Sequence, residues 1–225
     1  MALKLYGHYF SSNVQRVVVV LKEKNLDFEL LPVDMMNGEH KSEAYLSKQP
    51  FGVIPVLDDD GFLVYESRAI CRYLEAKFKD RGTPLIPSTE DIQAFGLFEQ
   101  GASIETSYFD PTVHGLAMEL FFKKMFHLGD TDPERVKILS QKLVTYLDAY
   151  ERILSKQEYI GGNALTLADL FHLPVGRSLF HPQVNMAHVM MERPHVKAWW
   201  EKISSRESWK QTVQLAEAQN FEYKK

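Results

Sequence analysis

Leu3-Lys4-Leu5-Tyr6-Gly7-His8-Tyr9-Phe10-Ser11-Ser12-Asn13-Val14-Gln15-Arg16-Val17-Val18-Val19-Val20-Leu21 is the stretch on which the fold turns. Leu3 to Gly7 reads as a short strand ended by Gly7. Ser11, Ser12 and Asn13 then offer helix N-cap chemistry, and Ser12-Asn13-Val14-Gln15 fits a capping box. The run from Val17 to Leu21 is awkward, because β-branched residues favour strands. The cap before it, and Lys22, Lys24 and Asn25 after it, favour a helix buried on more than one side.

Working outward, Phe28 to Val33 reads as a second strand, Asn37-Gly38 as a turn and Lys41 to Lys48 as a short helix. Val53 to Leu57 and Phe62 to Tyr65 flank the acidic turn Asp58-Asp59-Asp60-Gly61 and make a hairpin. Ser67 to Lys79 carries Ile70, Tyr73, Leu74 and Phe78 at amphipathic helix spacing. Strands joined through helices predict parallel pairing, and the hairpin adds an antiparallel pair. After the Gly- and Pro-containing break at 80–90 the signal is helical, over 91–126, 132–154, 166–179 and 194–204. Thr166-Leu167-Ala168-Asp169 reads as a helix start, a structural cap rather than a catalytic pair. The expected division is a small α/β domain over 1–81, a linker at 82–90 and an all-helical domain over 91–225.

Composition excludes several classes. With 225 residues, 45% hydrophobic and 25% charged, the chain can bury a real core. A net charge of -4 gives no general attraction to nucleic acid or anionic membrane, so neither is an expected partner. The longest aliphatic run, Val17 to Leu21, is far too short to span a bilayer. Cys71 is the sole cysteine, which excludes an intrachain disulfide and a CxxC pair, and no signal-peptide pattern opens the chain. The expected location is therefore the cytoplasm. The histidines at 172, 181, 188 and 195 lack metal-ligand spacing, so no metal site is expected.

Five segments in order carry a resemblance. They are Gly7-His8 through Ser11 to Arg16-Val17; Gly38-Glu39-His40-Lys41; Pro50-Phe51-Gly52-Val53-Ile54-Pro55; Glu66-Ser67-Arg68-Ala69-Ile70; and Thr166-Leu167-Ala168-Asp169-Leu170-Phe171-His172-Leu173-Pro174. Together they resemble the glutathione transferases, and within them the serine-type phi class, over nearly the whole chain. The resemblance implies a thioredoxin-like N-terminal domain that holds glutathione. It also implies an all-α C-terminal domain that builds most of the electrophile pocket, and a homodimer. Glutathione enters as co-substrate, and no tightly bound cofactor is implied.

The thiolate is the nucleophile in such chemistry, and a free thiol with a pKa of about 8.5 is only slightly ionised near neutrality. Donors at a helix N-terminus favour the anion. The resemblance makes Ser11 the catalytic donor, with Ser12 and Asn13 as supporting neighbours; taken alone, the serines would simply cap the helix. It makes Pro55 a cis-proline that turns the main chain of Ile54 toward the cysteinyl backbone of glutathione. Val53 departs from the family pattern, where glutamine is common, and forgoes a side-chain hydrogen bond. Glu66 and Ser67 are implied to meet the γ-glutamyl end, and His40 and Lys41 the glycyl carboxylate. Arg16 is the weakest transfer and reads equally as support for the fold. Tyr9, Phe10, Phe109, His114, Met118 and Phe122 are candidates for the electrophile pocket, most of the helical ones being core.

The implied activity is conjugation of the glutathione thiolate to small hydrophobic electrophiles, as in detoxification of xenobiotics. Reduction of organic hydroperoxides is a side activity the same site permits. A serine in place of a cysteine argues against deglutathionylation. The rival reading is a non-catalytic carrier of apolar or polyphenolic molecules on the same fold.

Overall fold

The computed structural model describes residues 3–218. It divides into two compact units, one running to Leu85 and resuming at Arg206, the other Ile86–Ser205. In the first unit β1 (Leu3–Gly7), α1 (Ser12–Glu23), β2 (Phe28–Pro32), a 3-10 turn (Glu39–Lys41), α2 (Glu43–Leu46), β3 (Val56–Asp59), β4 (Phe62–Tyr65) and α3 (Ser67–Lys77) follow in order. The sheet order is β2-β1-β3-β4. β1 is parallel to β2, with Gly7 opposite Pro32, and antiparallel to β3, with Tyr6 opposite Val56. Parallel pairing through a helix thus holds for β1 and β2 and fails for β3. With only a 3-10 turn and the single turn of α2 between them, the chain enters β3 at the same end of the sheet at which it leaves β2. Asp60 and Gly61 close the β3–β4 hairpin with φ of 55° and 91°, the left-handed pair that a two-residue turn demands.

The valine run forms α1 because burial overrides propensity. Val14 and Val17 to Leu21 are fully buried, and the helix packs against α3. Gly7 permits the tight join between β1 and α1, since a Cβ there would meet Val14 Cγ2 at 2.6 Å.

The second unit is helical. α4 (Ile92–Ile104), α5 (Asp110–Ala117) and α6 (Lys123–Met125) are joined through π-helical segments Glu105–Phe109 and Met118–Phe122. They form the long helical stretch expected over 91–126. α7 (Pro133–Leu154), α8 (Leu167–Gly176), a 3-10 turn (Arg177–Phe180), α9 (Ala187–Met191) and α10 (Pro194–Ser204) follow. Asp132 caps α7 by accepting from Glu134 N and Arg135 N. Every residue of α8 is buried. At its start Asp169 accepts hydrogen bonds from Ile160 N, Thr166 N, Thr166 Oγ1 and Trp199 Nε1. All four donors are structural, so the carboxylate serves as the pin of this core. One turn on, His172 Nδ1 lies 2.7 Å from Ala168 O and its Nε2 2.8 Å from the Tyr150 hydroxyl. The carbonyl can only accept, so Nδ1 donates and Nε2 takes the tyrosine proton.

α11 (Glu207–Ala218) belongs to the first unit and packs on α1, whereas the sequence reading ends its helices at Ser204 and assigns 91–225 to the helical domain. The attachment is polar as well as apolar. Glu23, at the last turn of α1, accepts from Arg206 Nη2 at 2.8 Å, from Thr83 Oγ1 at 2.7 Å and from Ser208 Oγ. Burial pushes this carboxyl up, but hydrogen bonds from Arg206, Ser208 and Thr83, with the Arg206 charge, outweigh it and hold the group below its ordinary 4.5. A depressed folded value stabilises the fold above the unfolded one and loses that contribution as pH falls through the folded one. Glu23→Gln is therefore expected to lower the melting temperature at pH 7 and to flatten its fall on acidification below 4.5, read by thermal melts across pH.

Candidate functional site

Ser11 occupies the N-cap of α1 in extended backbone (φ -74°, ψ 125°), and its side chain makes no capping hydrogen bond. The expected capping box on Ser12 does not form. Ser12 is already the first helical residue, and the Gln15 side chain turns back to donate to Tyr9 O at 2.8 Å. The Ser11 hydroxyl therefore stands at the positive end of a twelve-residue helix, uncommitted to capping, with no acidic residue in the first turn to compete for that end. An anion with a hydroxyl donor and backbone N–H groups around it suits this place.

A second element is the loop before β3. The Ile54–Pro55 bond is cis, as expected for this position, and β3 accordingly starts at Val56 rather than Val53. Lys41 Nζ donates to the carbonyls of Phe51 (3.1 Å) and Gly52 (2.8 Å), and the Tyr45 hydroxyl donates to that of Val53 (3.0 Å). Gln49 Oε1 receives Phe51 N at 2.6 Å. Val53 itself is exposed, and Ile54 buried. Neither Tyr45 nor Gln49 is singled out by the sequence. His40, beside Lys41, buries its Nδ1 without a hydrogen-bond partner, and burial together with the Lys41 charge lowers its pKa.

The third element is the start of α3. Glu66, its N-cap, has φ 67° and ψ 109°, a conformation that costs a residue with a side chain about 1–3 kcal/mol and persists only where surroundings dictate it. Its side chain is exposed and makes no capping bond. Ser67 next to it is buried, and its Oγ accepts a hydrogen bond from Arg16 Nη1 at 2.9 Å. Arg16, fully buried on α1, also donates to Asn13 Oδ1. One guanidinium thus ties the start of α1 to the start of α3. Because Ser67 Oγ is already an acceptor, its own proton points elsewhere; Asn13 Oδ1 lies 3.5 Å away, at the limit of a useful bond. A carboxylate would accept that proton better.

The structure thus brings Ser11, Asn13, Arg16, Ser67 and Glu66 together at two helix starts of one unit, with the 51–55 loop beside the 39–46 segment. Tyr9 and Phe10 are half-buried in the turn after β1. In the second unit His114, Met118 and Phe122 lie on one face of the α5–α6 stretch, the rings of His114 and Phe122 6.3 Å apart. Phe109, at 1% exposure and with its ring 4.8 Å from His172 and 5.9 Å from Tyr150, sits in the core of the second unit. These contacts separate two roles by stability. Ser11→Ala is expected to cost under about 0.5 kcal/mol, less than the ~1 kcal/mol of a working cap. Arg16→Met is expected to cost about 3 kcal/mol by leaving buried oxygens unpaired. Chemical denaturation measures both.

Residues 1–76 match the family described as glutathione S-transferase, N-terminal domain, and residues 109–207 the glutathione S-transferase, C-terminal domain. The chain is similar to glutathione S-transferase PM239X14 of Arabidopsis thaliana, with 50% identity over 89% of this chain and 90% of that one. Among solved structures it is similar to glutathione transferase F7 of Populus trichocarpa, at 40% identity and a TM-score of 0.89 over 96% of this chain and 99% of that one. It is also similar to glutathione S-transferase I from maize in complex with an atrazine glutathione conjugate, at 31% identity and a TM-score of 0.88 over 97% of this chain and all (100%) of that one. Sheet topology, helical second unit and these likenesses agree: the chain belongs to the glutathione S-transferase family.

Proposed function

We propose that the protein is a serine-type, phi-class glutathione transferase that adds the glutathione thiolate to small hydrophobic electrophiles. The observation that carries this reading is the Ser11 hydroxyl at the positive end of α1, free of any capping bond. Its O–H would donate to the glutathione sulfur, and the helix end would favour the anion. A thiol pKa lowered by about two units corresponds to about 2.7 kcal/mol of preferential thiolate stabilisation, within reach of a hydroxyl and a helix terminus acting together. The thiolate then attacks an electrophilic carbon; a C–S bond forms as the leaving group departs with its electron pair. Ser67 and Glu66 would hold the carboxylate and amine of the γ-glutamyl end, the Ile54 main chain the cysteinyl backbone, and His40 and Lys41 the glycyl carboxylate.

The maize relative's atrazine conjugate supports an apolar aromatic class of second substrate, for which His114, Met118 and Phe122 on the α5–α6 stretch offer suitable side chains. The same thiolate can attack the oxygen of an organic hydroperoxide, releasing an alcohol. A second glutathione would then take the sulfenyl sulfur as a disulfide, with loss of water. A homodimer is part of the proposal. Phe51 and Tyr65 are exposed at 69% and 37% beside the edge strand β4, their rings 6.5 Å apart, an aromatic pair of the kind that partners cover.

Ser11→Ala is expected to cut kcat toward an activated aryl halide about 100-fold, raise the pKa of bound glutathione thiol and leave glutathione affinity within a few-fold. Unchanged turnover would move the role to Ser12, Asn13 or Tyr9; a wild type that binds apolar ligands without turnover would make the protein a carrier. Sedimentation should give a mass of two chains, shifting toward one in Phe51→Asp.

A further inference from the structure

We infer that Tyr45 is a positioning residue for glutathione affinity, fixing the loop whose next peptide would pair with the tripeptide; the inference rests on the glutathione reading above. Tyr45 is the one buried residue of α2, at 4% exposure. Its hydroxyl holds Val53 O at 3.0 Å, directly before Ile54 and the cis bond to Pro55. Lys41, four residues earlier, holds the two preceding carbonyls at 3.1 and 2.8 Å. Three consecutive carbonyls of the 51–53 loop are therefore drawn toward the same short segment. The amides are tied as well: Phe51 N donates to Gln49 Oε1 at 2.6 Å and Gly52 N to Gln49 O at 2.9 Å. Gly52 lets loop and segment touch, since at its φ of 59° a Cβ would lie 2.6 Å from His40 O.

The two anchors differ in kind. Lys41 is exposed and carries a charge that an incoming carboxylate can recruit away from the carbonyls. Tyr45 is enclosed, and burial, with Glu39 nearby, pushes its hydroxyl up to about 12, so it remains a donor across the working range. It is the constant anchor that keeps the Val53 carbonyl turned inward whether or not ligand is present. A loop held beforehand loses less freedom when it binds, so the anchor acts on affinity and not on the bond-making step.

Tyr45→Phe keeps the ring and removes the donor. The Michaelis constant for glutathione is expected to rise about fivefold, with kcat at saturating glutathione and the Michaelis constant for the electrophile held. Amide hydrogen exchange at Phe51 and Gly52, whose N–H groups are tied to Gln49, should quicken in the free enzyme as the loop loosens. A merely structural tyrosine would lower the melting temperature and kcat with the glutathione constant unmoved, and that result overturns the inference. Should Tyr45→Phe not fold, Tyr45→Met repeats the comparison with similar bulk and no donor. A wild type that binds no glutathione sinks the parent reading; a glutathione-binding wild type matched by the variant sinks this one alone.

Discussion

A helix enclosed from Val14 to Leu21 has no freedom to re-aim its ends, and the rest of the first unit is arranged around that fact. β1 delivers the chain through Gly7 against Val14, so the N-terminus of α1 must emerge beside the end of β1. Its positive end is set by core packing and not by the loop in front of it. That separates duties: the valines hold the dipole in place, and Ser11 stays uncommitted because the helix needs no cap from it. The cost of holding a positively polarised helix end in place is thereby met by apolar burial some way from that end.

Arg16 extends the same constraint to a second helix. A fully buried guanidinium is stable only when its N–H groups are met, and here Asn13 and Ser67 are among the oxygens that meet them. The starts of α1 and α3 are locked together in consequence, one supplying a hydroxyl and a dipole, the other a strained Glu66 and a hydroxyl whose proton reaches Asn13 Oδ1 only at 3.5 Å. Strain at the start of α3 is where local backbone preference yields, and the surrounding polar contacts sustain it.

Much of this is legible in the order of residues. The strand-to-helix step at Gly7–Ser12, the acidic hairpin turn, the helix beginning at 132 and the Thr166–Asp169 cap all rest on short-range chemistry, and each appears where that chemistry puts it. What eludes sequence reading depends on how the chain folds back on itself. Gln15 looks like the partner of Ser12 in a box, yet its amide finds Tyr9 O, because the backward turn of the preceding loop brings that carbonyl closer. Arg16 looks ambiguous because its partner Ser67 lies 51 residues away. Tyr45 and Gln49 carry no motif at all, and their meaning arises only when the 51–53 carbonyls fold back on them. The antiparallel entry of β3 and the helical α11 escape for the same reason, being fixed by what they pack on.

That last helix has a consequence for how the protein is made. Synthesis proceeds from the N-terminus, and domains that finish early can fold before the rest is released. Here the sheet and α1 are translated first, but α11, which packs on α1, and the Arg206 and Ser208 donors that Glu23 awaits arrive only after the whole helical unit has been threaded out. The first unit to leave the ribosome is thus the last to be complete, and for most of elongation the Glu23 carboxylate has Thr83 but not yet Arg206 or Ser208 to meet it.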